Sequence, residues 1–233
     1  PIYDLSSGNV VGFEALVRWQ HPRLGLLLPG EFLSVAEETG VIGSIDEFVL
    51  REACRQLKEW QSSRPSEPPL YVSVNLSAET FSRPDLPEVV SDVVREFGLS
   101  GSSLRLELTE RVLVDNFEAS AAMLNRIRKA GVKIDIDDFG TGYSSLQYLY
   151  QLPVDRLKID RFFVERIADD AGMHGMIKTI LGLAHGLSLD VTGEGVETLE
   201  QLQGKFRMNE LPMALRADEH RQSIDRDLKR LRF

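Results

Sequence analysis

The alternation of short apolar runs with helical patterns constrains this chain more than any other feature. Strand-like runs lie at residues 10–17, 71–75, 104–109, 132–137, 156–159 and 189–193. Helix-like runs lie at 29–38, 45–61, 87–97, 117–129, 145–150 and 173–187. Val89, Val90, Val93, Val94 and Phe97 repeat at helical spacing, the period that puts apolar side chains on one face. For the run 117–129, Asp115 or Asn116 is placed to cap the start and Gly131 to stop the end. Strand followed by helix, repeated, builds a parallel sheet covered by helices. Over 233 residues the pattern predicts an α/β fold, a TIM-like (β/α)8 barrel ahead of an open doubly wound sheet. The proline-rich stretch 62–69 reads as a connecting loop.

Polar residues interrupt the apolar runs at one kind of place. Glu14, Asn75, Glu107, Asp137, Asp138, Lys158 and Glu194 fall at or near the C-terminal ends of strand-like runs. In a barrel those ends converge on the face that carries the chemistry. A period of two sends Asp135 and Asp137 to one side, and Ile134 and Ile136 to the other. Singly, each polar residue has an ordinary reading: a solvated rim acid, an ion-pair partner for Lys158, a turn residue at Asn75, a helix cap at Asp137-Asp138. Jointly they point to metal. Adjacent carboxylates repel and are costly to desolvate unless cations neutralise them, and hard divalent ions prefer carboxylate oxygen. His21, His174, His185 and His220 lie away from these strand ends. An all-oxygen site suits Mg²⁺ or Mn²⁺ better than Zn²⁺.

The formal net charge of −9 argues against non-specific binding to a nucleic-acid backbone. It leaves room for a small phosphorylated ligand, because acids loaded with metal present a positive face. Cys54, the sole cysteine, cannot form an internal disulfide. It fits a reducing compartment and reads as a buried, inert thiol. No apolar run approaches the ~18 residues of a transmembrane helix, and no signal peptide is visible. No membrane contact is expected from this segment. The chain starts at Pro1-Ile2-Tyr3, which reads as a piece cut from a longer protein.

Glu14-Ala15-Leu16 stands within Gly12-Phe13-Glu14-Ala15-Leu16-Val17-Arg18-Trp19, followed by His21-Pro22, Pro29-Gly30-Glu31-Phe32 and Ala36-Glu37-Glu38-Thr39-Gly40. Asn75-Leu76-Ser77, Glu107-Leu108-Thr109-Glu110, the run 137–145, Lys158-Ile159-Asp160 and Glu194-Gly195-Val196-Glu197-Thr198 follow in order. This series resembles the EAL domains, bacterial phosphodiesterases that hydrolyse cyclic di-GMP in second-messenger signalling. The resemblance runs from residue 1 to about 203 and implies a barrel domain over 1–203, with a divergent charged segment at 204–233. It implies two divalent cations, Mg²⁺ or Mn²⁺. Glu14, Asn75, Glu107 and Asp137 correspond to ligands of the first. Asp137 would bridge to a second held also by Asp138, with Glu194 as ligand or proton acceptor. Lys158 resembles the lysine beside the attacking water, and Arg18 a residue that reaches substrate phosphate. Asp160 and Glu197 correspond to groups near the substrate or metal shell, and Glu110 to a glutamate that steadies the loop 139–145. The resemblance further implies a homodimer, a cytoplasmic domain, and fusion to an upstream sensory or cyclase-like domain in a parent protein that has room for a membrane anchor.

The resemblance stops after Gln203. EAL domains continue with a Gln-Gly-Tyr stretch on the last barrel strand. Here the sequence reads Gly204-Lys205-Phe206-Arg207, then a charged run from Arg216 to Arg232. No alternating apolar strand is visible past Phe206, so the barrel is expected to be incomplete at its last strand. The tail reads as a solvated helix, a disordered segment or a non-native frame. Thr192-Gly193 replaces the more usual Val-Ala before Glu194. Two functions compete. One is a metal-dependent phosphodiesterase that linearises cyclic di-GMP to pGpG, which the retained metal and lysine positions favour. The other is an inactive module that binds the dinucleotide or a protein partner and regulates another domain. A proton-abstracting barrel enzyme uses similar acids but does not match these motifs.

Overall fold

The computed structural model describes residues 1–140, 146–166, 170–195 and 213–216, of which 146, 147, 171 and 213–216 are described by backbone alone. The strands are β1 (Ile2–Asp4), β2 (Val10–Ala15), β3 (Trp19–His21), β4 (Gly25–Leu27), β5 (Tyr71–Asn75), β6 (Leu104–Thr109), β7 (Lys133–Phe139), β8 (Arg156–Ile159), β9 (Asp190–Gly193) and β10 (Met213–Arg216). The helices are α1 (Leu33–Glu38), α2 (Ile42–Ser63), α3 (Ala78–Phe81), α4 (Leu86–Glu96), α5 (Glu110–Asp115), α6 (Phe117–Arg128), α7 (Leu146–Gln151), α8 (Arg161–Arg166) and α9 (Ala171–Gly186). Among the described residues, no helix is long and apolar enough to cross a membrane.

The chain divides into two compact units. One comprises Phe13–Leu108 and Glu118–Ile134. Its β5 and β6 pair in parallel, with Asn75 beside Glu107. Leu104, Leu106 and Leu108 on one face of β6 are each at most 1% exposed, and Arg105 and Glu107 on the other face are also buried, the mark of a strand covered on both sides. Helix α2 buries Asp46, Leu50, Ala53, Cys54 and Leu57, a stripe at helical spacing. Asp46 Oδ2 accepts from the Ser77 backbone N–H at 2.9 Å and from its hydroxyl at 2.6 Å. Ser77 Oγ in turn accepts from Thr80 N–H at 3.2 Å and caps α3. Cys54 is fully buried, as expected, and burial pushes its thiol up to about 12. Past α6, Gly131 takes a φ of 79°, the left-handed conformation that ends a helix.

The other unit comprises Pro1–Gly12, Thr109–Phe117 and Asp135–Phe233. Its sheet runs β7, β8, β9 and β10 in parallel, and β1 closes on β10 antiparallel. Met213 pairs with Val191, Ala214 with Thr192 and Leu215 with Gly193. The segment after Phe206 therefore does supply a strand. Four residues bounded by charge are too short to show alternation, so this strand was not visible in the sequence. The same brevity hid β1 and the β3–β4 hairpin, each strand of which has three residues.

Candidate functional site

In the unit that carries β5, strand ends bring three expected residues together. Asn75 Nδ2 donates to Glu14 Oε1 at 2.9 Å. Glu107, 1% exposed, is the ladder partner of Asn75. Paired residues on parallel strands share a face, so an amide and two carboxylates line one side of this sheet edge. Arg18 Nη1 donates to the Val17 carbonyl at 2.9 Å. Phe13, Glu14, Arg18, Phe48 and Trp60 are among the walls of a cavity of about 310 Å³. Phe13 and Trp60 meet there with ring centroids 4.5 Å apart and planes tilted by 44°.

In the other unit the acids gather at a fault in the sheet. Ile136 pairs with Leu157, and the next pair is Phe139 with Ile159. Asp137 and Asp138 on β7 thus stand opposite Lys158 alone on β8, a β-bulge. Bulges re-aim side chains, and they concentrate next to active sites. Asp138 takes a φ of 53°, a left-handed conformation that aspartate adopts more readily than most residues. Its N–H donates to Asp137 Oδ1 at 3.0 Å. The alternation expected for β7 holds: Asp135 is on the polar face, Ile134 and Ile136 in the core, with all three at most 2% exposed.

Lys158 is 2% exposed and extends between two carboxylates, at 2.9 Å from Asp137 Oδ1 and 2.7 Å from Glu194 Oε1. Glu194 is set by its own N–H, which donates to the Ile159 carbonyl at 3.1 Å and extends the ladder past β9. Gly195 follows at a φ of 68°. A Cβ there would stand 2.4 Å from Arg161 Cγ, so only glycine lets the Arg161 stem lie against this backbone. Asp160 Oδ1 accepts from Phe162 N–H at 2.9 Å at the start of α8, a capping contact that spacing alone did not indicate. Burial, and then the charges of Asp137, Asp160 and Glu194, raise the Asp138 carboxyl to about 6, against the lowering effect of Lys158.

Glu110 opens α5 and is partly exposed. Glu197 and residues 141–145 of the glycine loop lie outside the described residues. Among the described residues, no three His, Cys, Asp or Glu side chains converge as a ready set of metal ligands. The donors do fit a hard divalent ion in kind. All are oxygens, and Asp138 shares its surroundings with the carboxylates of Asp137, Asp160 and Glu194, which add to burial in raising its carboxyl. The sequence also gave no sign of a lower ionic layer on β8. Arg156, 7% exposed, lies 3.9 Å from Asp135 Oδ2 and 3.5 Å from Asp190 Oδ2.

The chain matches the EAL domain family model over residues 1–207. It is 43% identical over 202 residues to the bifunctional diguanylate cyclase/cyclic di-GMP phosphodiesterase MucR of Pseudomonas aeruginosa, across 87% of this chain and 29% of that protein. It is also 43% identical over 202 residues to the cyclic di-GMP phosphodiesterase NbdA of the same organism, across 87% of this chain and 26% of that protein. The solved MucR phosphodiesterase in complex with c-di-GMP superimposes with a TM-score of 0.86 at 40% identity, over 93% of this chain and 86% of that one. The chain spans between 24% and 32% of the length of the first curated relatives it matches. The fold class is the TIM-like α/β barrel expected from the order of elements. On sequence and fold together, this chain belongs to the EAL-domain family.

Proposed function

We propose that this domain hydrolyses cyclic di-GMP to linear pGpG with two divalent cations, Mg²⁺ or Mn²⁺. The observation that carries the reading is the bulge of β7, which sets Asp137 and Asp138 against Lys158, itself paired with Glu194. Two relatives named as cyclic di-GMP phosphodiesterases support the substrate. Glu14, Asn75, Glu107 and Asp137 would hold one ion, and Asp137, Asp138 and Glu194 the other. Bound divalent ions supply charge neutralisation of the phosphodiester and acidify water. The protein's own groups do the rest. Lys158 brings a fixed positive charge beside Asp137 and orients the nucleophile. Glu194, in contact with Lys158, is placed to accept a proton. Arg18 engages substrate phosphate, with Asp160 and Glu197 near the substrate and Glu110 steadying the glycine loop. The domain acts as a homodimer in the cytoplasm, joined in its parent protein to a sensory or cyclase-like domain.

The test is direct. Purified protein is incubated with cyclic di-GMP and Mg²⁺ or Mn²⁺, and pGpG is followed by chromatography. Turnover that is lost in Asp137→Asn supports the reading. Binding of cyclic di-GMP without turnover overturns it and selects the inactive regulatory module.

A further inference from the structure

Thr192 is a buried polar residue two places before Glu194, and the role proposed above leaves it unused. It sits in the middle of β9, beside Lys158 on one side and Ala214 on the other. Ladder partners on parallel strands share a face, and residues two apart on one strand do as well. Thr192 therefore projects on the same side as Lys158 and Glu194, while Val191 and Gly193 project on the other. Thr192 is 1% exposed. Its hydroxyl Oγ1 has no hydrogen-bond partner among the described residues. A valine would fill nearly the same volume without a polar group. A buried hydroxyl left unsatisfied is costly, and such groups are normally satisfied by protein or by an ordered water.

We propose that Thr192 is a positioning residue for Lys158: its hydroxyl holds one buried water that links β9 to the Lys158 side chain and restrains the ammonium between Asp137 and Glu194. The face offers a water polar company: Lys158 is the ladder partner of Thr192 on one side, with Ala214 on the other, and Lys158 itself reaches Asp137 and Glu194. Thr192 touches no reacting atom and acts through Lys158. The catalytic part of this inference rests on the phosphodiesterase reading. The structural part does not.

Three variants test it: Thr192→Val, Thr192→Ser and Lys158→Met, with Thr192→Val/Lys158→Met as the double variant. Thr192→Val is expected to lower kcat about tenfold with KM unchanged, the size of one lost hydrogen bond at the nucleophile's side. Thr192→Ser keeps the hydroxyl and retains most of the rate. In thermal melts without substrate, Thr192→Val is expected to lower Tm by roughly 2–4 °C. The double variant then loses less than the sum of the two single losses, because the groups share one network. A Thr192→Val protein as stable as wild type or more so overturns the proposal, as do additive losses of Tm. A wild-type protein without turnover removes the phosphodiesterase reading alone. The melting cycle then decides the Thr192–Lys158 link by itself.

Discussion

The Lys158 ammonium lies 2.9 Å from Asp137 Oδ1, with 2% of the lysine side chain and 14% of the aspartate side chain exposed. Removing one partner of a pair this secluded strands the other charge, at a cost of about 3 kcal/mol. Lys158→Met leaves Asp137 and Glu194 facing each other without their cation. The variant should lose about that much stability in urea titrations, and the cyclic di-GMP hydrolysis proposed for the domain should disappear with it.

Asp138 gives a dependence on pH. Its folded carboxyl is raised to about 6 from an ordinary 3.8. Between those values the folded state binds the extra proton, so unfolding becomes easier as pH rises through this window. The ionised group is a cost above pH ~6 that protonation removes. Asp138 keeps part of its surface open to solvent while its carboxyl is half enclosed, and screening keeps the effect near ~1 kcal/mol. Asp138→Asn should therefore be more stable than wild type at pH 8 and no more stable at pH 4. Added Mg²⁺ should narrow the difference at pH 8. Denaturation curves at the two pH values, with and without Mg²⁺, check both statements.

Gly101 permits a close approach rather than an unusual backbone. A Cβ built there falls 1.9 Å from the Ala130 carbonyl oxygen. Backbone cannot yield as a side-chain tip does, so Gly101→Ala should cost about 1–3 kcal/mol. The loss should show as a lower denaturation midpoint. An alanine protein as stable as wild type would mean that the contact between the turn at 101 and residue 130 relaxes freely.

Cys54 is closed to solvent, and burial holds its thiol at about 12. The thiolate is the reactive form. Native protein at pH 7.5 should resist iodoacetamide for hours, while protein in urea should be alkylated at once. Intact-mass spectrometry distinguishes the two.

The position of Asn75, Glu107 and Glu194 at or near strand ends could be read from the sequence because a polar residue in or after an apolar run is conspicuous whatever the geometry. The sidedness of Asp135 and Asp137 followed from a period of two. The bulge could not be read. It inserts a residue into β7 without changing the letters on either side, and only the partner strand reveals that two residues face one. An ion-pair role was one reading of Lys158, but its partners Asp137 and Glu194 could not be named, since an ammonium on a flexible stem leaves no trace of where it ends. Strand β10 escaped because four residues are too few to alternate and because, of its partners β9 and β1, the second comes from the opposite end of the chain. Its pairing is a property of those strands more than of Met213–Arg216.

The two-for-one mismatch between β7 and Lys158 sets what kinds of genetic change the sheet can absorb. A substitution at Asp138 alters one side chain and keeps the mismatch, whereas a single-codon deletion there would restore one-to-one pairing, with Asp137 on Lys158 and Phe139 still on Ile159. Phe139, 4% exposed, would then keep its place in the core. Loss of this codon should therefore spare the packing beneath the sheet and remove only the second carboxylate and its bend from the polar face.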